Sequence, residues 1–232
     1  MDKYEINSQN VSVDRYASQI MKRVYVKMFL AMIVTAATAW IINTTPAIMN
    51  YMILNSWVYW GLLIAELAMV FVISGAINKL SETSATLLFY VYSILNGAVF
   101  SIILMAYTNE SIFKTFLITA GVFGAMSIYG YFTTKDLTKI GTFLRMALIG
   151  LIICLVVNMF WANNTLEWII SFAGVAIFIG LTAWDTQKIK TMAAQSDESF
   201  AGKLATIGAL TLYLDFVNLF LYLLRFFGSS RN

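Results

Sequence analysis

Three acidic residues lie inside or at the end of apolar stretches and are the first candidates for chemistry. Glu66 lies near the middle of GLLIAELAMVF, Asp215 lies within TLYLDFVNLF, and Asp185 ends the apolar part of GLTAWDTQKIK. An ionisable group within a membrane helix is costly and usually faces the interior of a helix bundle, so each is a functional candidate. Structural readings stay open, with Glu66 as a protonated, hydrogen-bonded acid and Asp185 as a solvated carboxylate at a helix end.

A stripe of polar residues follows one face of the last apolar segment. Its members are spaced by 4, 3, 4 and 3 residues, which places them on one side of a helix. They are Thr211, Asp215, Asn218, Tyr222 and Arg225. Since such a stripe is unsuited to lipid, we expect it to face a polar seam shared with other helices. We expect Thr211, Asn218 and Tyr222 to lie, with Glu66, along an ion path.

The aspartates offer two kinds of chemistry. Two carboxyls that approach one another share a proton at neutral pH because two negative charges repel. Asp185 is the best candidate partner for Asp215 if its helix continues inward from the headgroups. A carboxylate pair lined by hydroxyl and amide oxygens also suits Ca²⁺, although full coordination takes roughly six to eight oxygens. We therefore take Asp185 and Asp215 as a candidate pH-sensitive pair and Ca²⁺ contact.

Composition excludes several other chemistries. The 232 residues include no histidine and one cysteine, Cys154. Imidazole metal sites, Ser-His-Asp triads and disulfide frameworks are therefore excluded. We expect no tightly bound cofactor, no enzymatic activity and no nucleic-acid partner. Titration near neutral pH must then come from carboxyl groups in unusual surroundings.

The elements that position these residues are membrane helices. Hydrophobic residues make up 60% of the chain and charged residues 12%, against about 25% charged residues in soluble domains. Crossing the hydrocarbon takes about 20 apolar residues as helix. Seven segments meet this requirement, at 24–42, 57–77, 85–107, 111–132, 142–161, 166–184 and 204–227. We predict an all-α membrane protein, a seven-helix bundle with short connections, in which the last helix is central.

The flanking charges predict the organisation and the orientation. We expect a cytoplasmic amino-terminal segment at 1–23, one membrane domain at 24–228 and a short tail at 229–232. Of the 15 Lys and Arg residues, only Lys114, Arg225 and Arg231 fall on the side opposite the amino terminus. The other twelve place the amino terminus in the cytoplasm by the positive-inside rule. We expect a multi-pass protein of the cytoplasmic membrane, with the lipid bilayer as its surroundings.

Two strings near the carboxyl terminus resemble a known family. LTAWDTQKIK at 181–190 and LTLYLDFVNLFLYLLRFFG at 210–228 are similar to the signature of the Bax inhibitor-1 family, the transmembrane Bax inhibitor motif proteins. The resemblance in hydropathy and helix count extends over about residues 15–228. It implies a seven-helix bundle with a central last helix and a pH-sensitive calcium leak, with Ca²⁺ as the transported ion.

The resemblance also assigns roles to single residues. It matches Asp185 and Asp215 to the family's two gating aspartates and Glu66 to its second-helix glutamate. Bacterial relatives have an arginine near the cytoplasmic end of that helix which helps to close the pore, a role we call the latch. Here the stretch reads SGAINKL, with Lys79 as its cation. Lysine lacks the planar fork of arginine, so Lys79 would latch through charge alone.

Other functions compete with the calcium leak. Some bacterial relatives are reported to act on a membrane-bound protease, so a non-conducting regulator that binds other membrane proteins is the main alternative. Two membrane aspartates can also form a proteolytic pair, but the expected Gly-x-Gly-Asp motif is absent, since Leu212, Tyr213 and Leu214 precede Asp215. A proton-coupled transporter remains a further hypothesis, although paired Gly/Pro-broken helices are not evident.

Overall fold

The computed structural model describes residues 3–161 and 163–229, with side chains described from residue 13 onward. Over these ranges the chain is helical, with no strand. The helices are α1 (Lys3–Thr44), α2 (Pro46–Leu54), α3 (Ser56–Ala76), α4 (Glu82–Met105), α5 (Asn109–Phe132), α6 (Thr138–Trp161), α7 (Asn164–Gln195) and α8 (Glu198–Phe227). All of them except α2 contain a span long and apolar enough to cross a membrane. The predicted all-α, seven-span membrane fold is confirmed.

Several helix boundaries differ from those that hydropathy predicts. Residues 3–23 of the predicted polar segment 1–23 are helical, and they continue without a break into the first span as part of α1. The predicted connection at 43–56 contains α2, which begins at Pro46, a residue favoured in the first turn of a helix. At nine residues, α2 is too short to cross a membrane. Of the predicted tail 229–232, only Ser229 lies within the described residues.

The largest difference is in the segment after Asp185. We predicted a connection at 185–203, but α7 continues to Gln195 and α8 begins at Glu198. The stretch after Asp185 is polar, which ends the apolar run, yet its Lys, Met, Ala and Gln residues favour helix. The prediction was wrong because the end of an apolar segment was taken for the end of a helix. Asp185 therefore lies within a helix.

Polar side chains within the spans bond to the helix that carries them. The hydroxyls of Thr38, Thr119 and Thr182 each donate to the carbonyl four residues earlier. Helix starts use the same chemistry, since the Thr108 hydroxyl accepts the Ser111 N–H at the start of α5. Such bonds satisfy groups for which the hydrocarbon offers no water.

The chain divides into two compact units. The first comprises residues 3–106 and 191–213, hence α1 to α4, the end of α7 and the amino-terminal half of α8. Within it α1 packs extensively against α4. Gly97 allows this approach, because a Cβ there would lie 2.6 Å from the carbonyl oxygen of Thr35. The ammonium of Lys27 joins α1 to α4 and α8, lying 2.9 Å from Thr86 Oγ1 and 2.7 Å from Thr206 Oγ1.

The second unit comprises residues 107–190 and 214–229, hence α5, α6, most of α7 and the carboxyl-terminal half of α8. Phe116 and Phe123 of α5 meet the ring of Phe216 edge-on, with centroids 5.6 and 5.4 Å away. Gly130 brings α5 against the backbone of Ala183 in α7, where a side chain would clash. Aromatic packing and a small residue thus set how these helices meet.

The last helix is the most buried span. In its most apolar stretch 72% of the residues are buried, against 50% or less in every other span. Burial of this extent is what the predicted central position of the last helix requires.

Candidate functional site

Two buried carboxyls in the second unit form the core of the first candidate site, which we call the aspartate cluster: Asp185, Asp215, Arg145, Trp184 and Lys188. Asp185 of α7 and Asp215 of α8 are each 5% exposed. Their charges act on one another, and Arg145 of α6 acts electrostatically on both. Among the described residues, Asp215 Oδ2 is buried with no hydrogen-bond partner. The predicted pair is therefore a neighbouring pair of buried acids.

One indole ring positions the cations of the aspartate cluster. The guanidinium carbon of Arg145 lies 4.3 Å from the centre of the Trp184 ring, and the ammonium of Lys188 lies 5.2 Å from it. Cations favour the faces of aromatic rings because of the negative quadrupole there. Gly141 leaves room for the ring, since a Cβ at that position would collide with it. Trp184 thereby holds two positive charges next to Asp185.

The position of Asp185 follows from the length of α7. Because the helix continues beyond it, its carboxyl is not a solvated group at a helix end. The side chain of Gln187, two residues after Asp185, binds the segment before α6. The Leu137 N–H donates to Gln187 Oε1 at 2.9 Å, and Gln187 Nε2 donates to the carbonyl of Lys135 at 2.8 Å. The solvated reading of Asp185 is therefore wrong.

Glu66 belongs to a second group, in the first unit, which we call the Glu66 network: Glu66, Asn96, Tyr213 and Thr35. The Asn96 side chain lies beside the Glu66 carboxyl and acts on it as a hydrogen-bonding group. Tyr213 donates from its hydroxyl to Asn96 Oδ1 at 2.9 Å, and its oxygen lies 2.6 Å from Thr35 Oγ1. These residues come from α3, α4, α8 and α1, so one line of polar contacts joins four helices.

The Glu66 network lies in apolar surroundings. Tyr213 is fully buried, and Asn96 and Thr35 are 5% and 6% exposed. Phe89 and Tyr92 of α4 meet the Tyr213 ring edge-on, with centroids 5.6 and 5.8 Å away. Hydrogen bonds in such surroundings are strong, and an unmatched polar group is costly. Even so, Glu66 Oε1 is buried with no hydrogen-bond partner among the described residues.

The other residues of the predicted polar stripe have partners close by. Thr211 and Asn218 donate to the carbonyls of Ile207 and Leu214 on α8 itself. Both lie on the less buried face of α8. Tyr222 stacks on Phe178 with ring centres 5.9 Å apart. Their role along an ion path stays a prediction.

The positively charged side chains have different surroundings. Arg225 lies 3.7 Å from Glu167 Oε1, with its guanidinium 5.9 Å from the Tyr222 ring. Lys79 is exposed in the turn after α3, and its backbone N–H donates to the carbonyl of Ala76. The latch role of Lys79 stays a prediction. The cations that act on the aspartates are Arg145 and Lys188.

Six residues of these two groups were not among the predicted site residues: Arg145, Trp184, Lys188, Asn96, Tyr213 and Thr35. Arg145 lies inside the apolar run 142–161 and was counted only for orientation. The rule that selected the acids, that a charge within a span is functional by default, would have found it. Asn96 is a lone amide in the run 85–107, a weaker signal of the same kind. Tyr213 carries no signal of its own, because tyrosines are common in membrane helices.

Comparisons with known proteins add the following findings. The family described as inhibitor of apoptosis-promoting Bax1 matches residues 17–232. The inner membrane protein YbhL of Escherichia coli K12 is 44% identical over 234 residues, covering all of both chains. A protein of Borreliella burgdorferi is 44% identical over 217 residues, covering 93% of this chain and 94% of its own. The membrane protein M6_Spy0327 of Streptococcus pyogenes is 40% identical over 173 residues, covering 75% of each.

Proposed function

Because this chain belongs to the Bax inhibitor-1 family of membrane proteins, we propose that it is a pH-sensitive calcium leak channel gated by Asp185 and Asp215. The observation that supports the proposal is the aspartate cluster, two buried carboxyls whose charges act on one another. The chain is a multi-pass membrane protein. Its likeness to an inner membrane protein supports the cytoplasmic membrane as its location. We propose an amino terminus inside from the distribution of Lys and Arg.

The gate works through the number of protons that the pair holds. With one proton, the two carboxyls share it and stay together. Loss of that proton leaves two negative charges that repel and move apart. Acid protonates both groups, which removes the repulsion and weakens their attraction for Ca²⁺. Burial of the pair has the largest effect on the pH range of these steps, and Arg145, which acts on both carboxyls, contributes to it.

Calcium in this proposal is cargo. Among the residues described, no group of three or more His, Cys, Asp or Glu side chains could hold a metal ion. Two carboxylates supply fewer oxygens than the roughly six to eight that Ca²⁺ takes in a tight site. An ion in transit must be released, so weak binding suits a leak. Glu66, Thr211, Asn218 and Tyr222 are the residues we propose along the ion path.

Flux into liposomes tests the proposal. The purified protein is reconstituted around a calcium-sensitive dye, and Ca²⁺ entry is followed across a range of pH. We expect entry above that of protein-free liposomes, with a rate that depends on pH. Silence at every pH, with the protein shown to be inserted and folded, would overturn the leak. It would favour the alternative, a non-conducting regulator that binds other membrane proteins such as a protease.

A further inference from the structure

The Glu66 network can be hydrogen-bonded in two directions. When Glu66 is ionised, it accepts an N–H from Asn96. The amide oxygen of Asn96 then accepts from Tyr213, and the Tyr213 oxygen accepts from the Thr35 hydroxyl. The Tyr213 hydroxyl lies 2.9 Å from its acceptor Asn96 Oδ1, and the 2.6 Å contact between Tyr213 and Thr35 allows either hydroxyl to donate. Every hydroxyl proton in the line then has an acceptor.

A proton on Glu66 calls for the opposite direction. The Glu66 O–H then donates to Asn96 Oδ1, and the Asn96 amide donates to the Tyr213 oxygen. Tyr213 donates to Thr35 Oγ1, so the Thr35 proton needs another acceptor. The carbonyl oxygen of Ser93 lies 3.0 Å from Thr35 Oγ1 and can accept it. The only covalent change is the proton gained by Glu66, while the amide and the hydroxyls rotate.

We propose that Asn96, Tyr213 and Thr35 form a relay that reverses its hydrogen-bond direction when Glu66 gains a proton. All three side chains are buried, where a polar group left without a partner is costly, so the groups turn together. Protonation of Glu66 in α3 is thereby passed to α8 and α1. The inference deepens the proposed function, because it rests on Glu66 as an ion-path residue. Tyr213 and Asn96 are positioning residues in it.

Among the charged and titratable groups near Glu66, we expect only the Glu66 carboxyl to exchange a proton near neutral pH. Tyr92 of α4 and Tyr213 of α8 act on its charge, and tyrosines keep their protons near neutral pH. On α2, which also packs against α3, Tyr51 meets the ring of Trp57. On α1, Lys27 is held by Glu82 and two threonines.

Infrared difference spectroscopy between acid and neutral pH tests the relay without any flux. In the parent protein we expect a protonated carboxyl band that Glu66→Gln removes. We also expect a tyrosine band that Tyr213→Phe removes and that titrates together with the carboxyl band. In Tyr213→Phe the Asn96 amide is no longer held with its N–H towards Glu66. The carboxyl band should then persist to a pH about one unit higher, a tenfold change in proton affinity.

Control variants distinguish interruption of the relay from a loss of packing caused by the substitution. Tyr90→Phe removes a hydroxyl from α4 outside the relay and should leave the carboxyl band at its parent pH. Thermal unfolding of Tyr213→Phe shows whether the variant is folded, and Thr35→Val interrupts the relay from its other end with a smaller expected shift. A Tyr213 band that stays constant while Glu66 titrates would overturn the relay. So would a carboxyl band at the parent pH in folded Tyr213→Phe. Both results are independent of whether the protein conducts Ca²⁺.

Discussion

Single side chains set the charge balance at Asp185 and Asp215. Arg145 and Lys188 both contact the ring of Trp184, and Arg145 acts on both carboxyls. In a chain without histidine, a response near neutral pH comes from carboxyl groups in unusual surroundings, and these two acids are among them. Substitution of Arg145 therefore tests the pair without altering either aspartate.

Arg145→Gln should move the pH at which flux changes upward by about one unit. The positive charge favours the ionised carboxyls, so its loss lets them keep protons to higher pH. Arg145→Lys is the matched control, because it keeps the charge but lacks the planar group that stacks on Trp184. It should show a smaller shift. Calcium flux into liposomes against pH measures both variants. An unchanged profile in Arg145→Gln would separate this cation from the gate.

At the residue scale the sequence predicts which groups are unusual and leaves their partners open. Glu66, Asp185 and Asp215 stand out because they are acids in apolar surroundings. The contact of Tyr213 with Asn96 depends on the rotation of α8 against α4. One sequence contains no measure of that rotation. The same limit concealed the stacking of Arg145 on Trp184, which joins α6 to α7.

At the scale of helices, Lys27 fastens α1 to α4 and α8. Its ammonium contacts Glu82, Thr86 and Thr206 at 3.2, 2.9 and 2.7 Å. Its side chain is 14% exposed, whereas that of Glu82 is 51% exposed. The bonds to the two threonines therefore contribute more than the ion pair, which water screens.

Lys27→Met should destabilise the protein by about 1.5–3 kcal/mol, the range for hydrogen bonds to a charged group. Methionine keeps the length of the side chain and removes the donors. Thr86 and Thr206, whose oxygens lie 3.0 Å apart, keep their bond to one another. Lys22→Met on the exposed face of the same helix is the control and should have little effect. Unfolding in detergent measures the free energy of unfolding of both variants. Equal values would show that the contacts of Lys27 do not stabilise the packing of these helices.

The number of membrane-spanning helices could be predicted from the sequence, but the residues at which helices begin and end could not. Hydropathy finds the spans because each needs an apolar length that matches the bilayer. It does not find α2, which lies outside the spans, or the part of α7 after Asp185, which is polar. Both are helical for local reasons, Pro46 in the first turn of α2 and residues that favour helix in α7.

At the scale of the whole molecule, the uneven distribution of Lys and Arg predicts orientation. Cysteines placed in the segment 133–137 before α6, or at Ser196 between α7 and α8, should be shielded from an impermeant reagent in intact cells. Cysteines at the start of α3 should react. The background replaces Cys154, which is exposed on α6. Labelling of the 133–137 segment from outside would reverse the proposed topology.

The central claim is that Asp185 and Asp215 titrate as one gate. The most direct measurement is Ca²⁺ flux into liposomes against pH for the parent, Asp185→Asn, Asp215→Asn and the double variant. Either single change should abolish most of the pH dependence, and the double change should add little, because groups that act as one unit are not additive. Two independent shifts that sum in the double variant would show that the aspartates titrate separately, and would contradict the shared-proton gate.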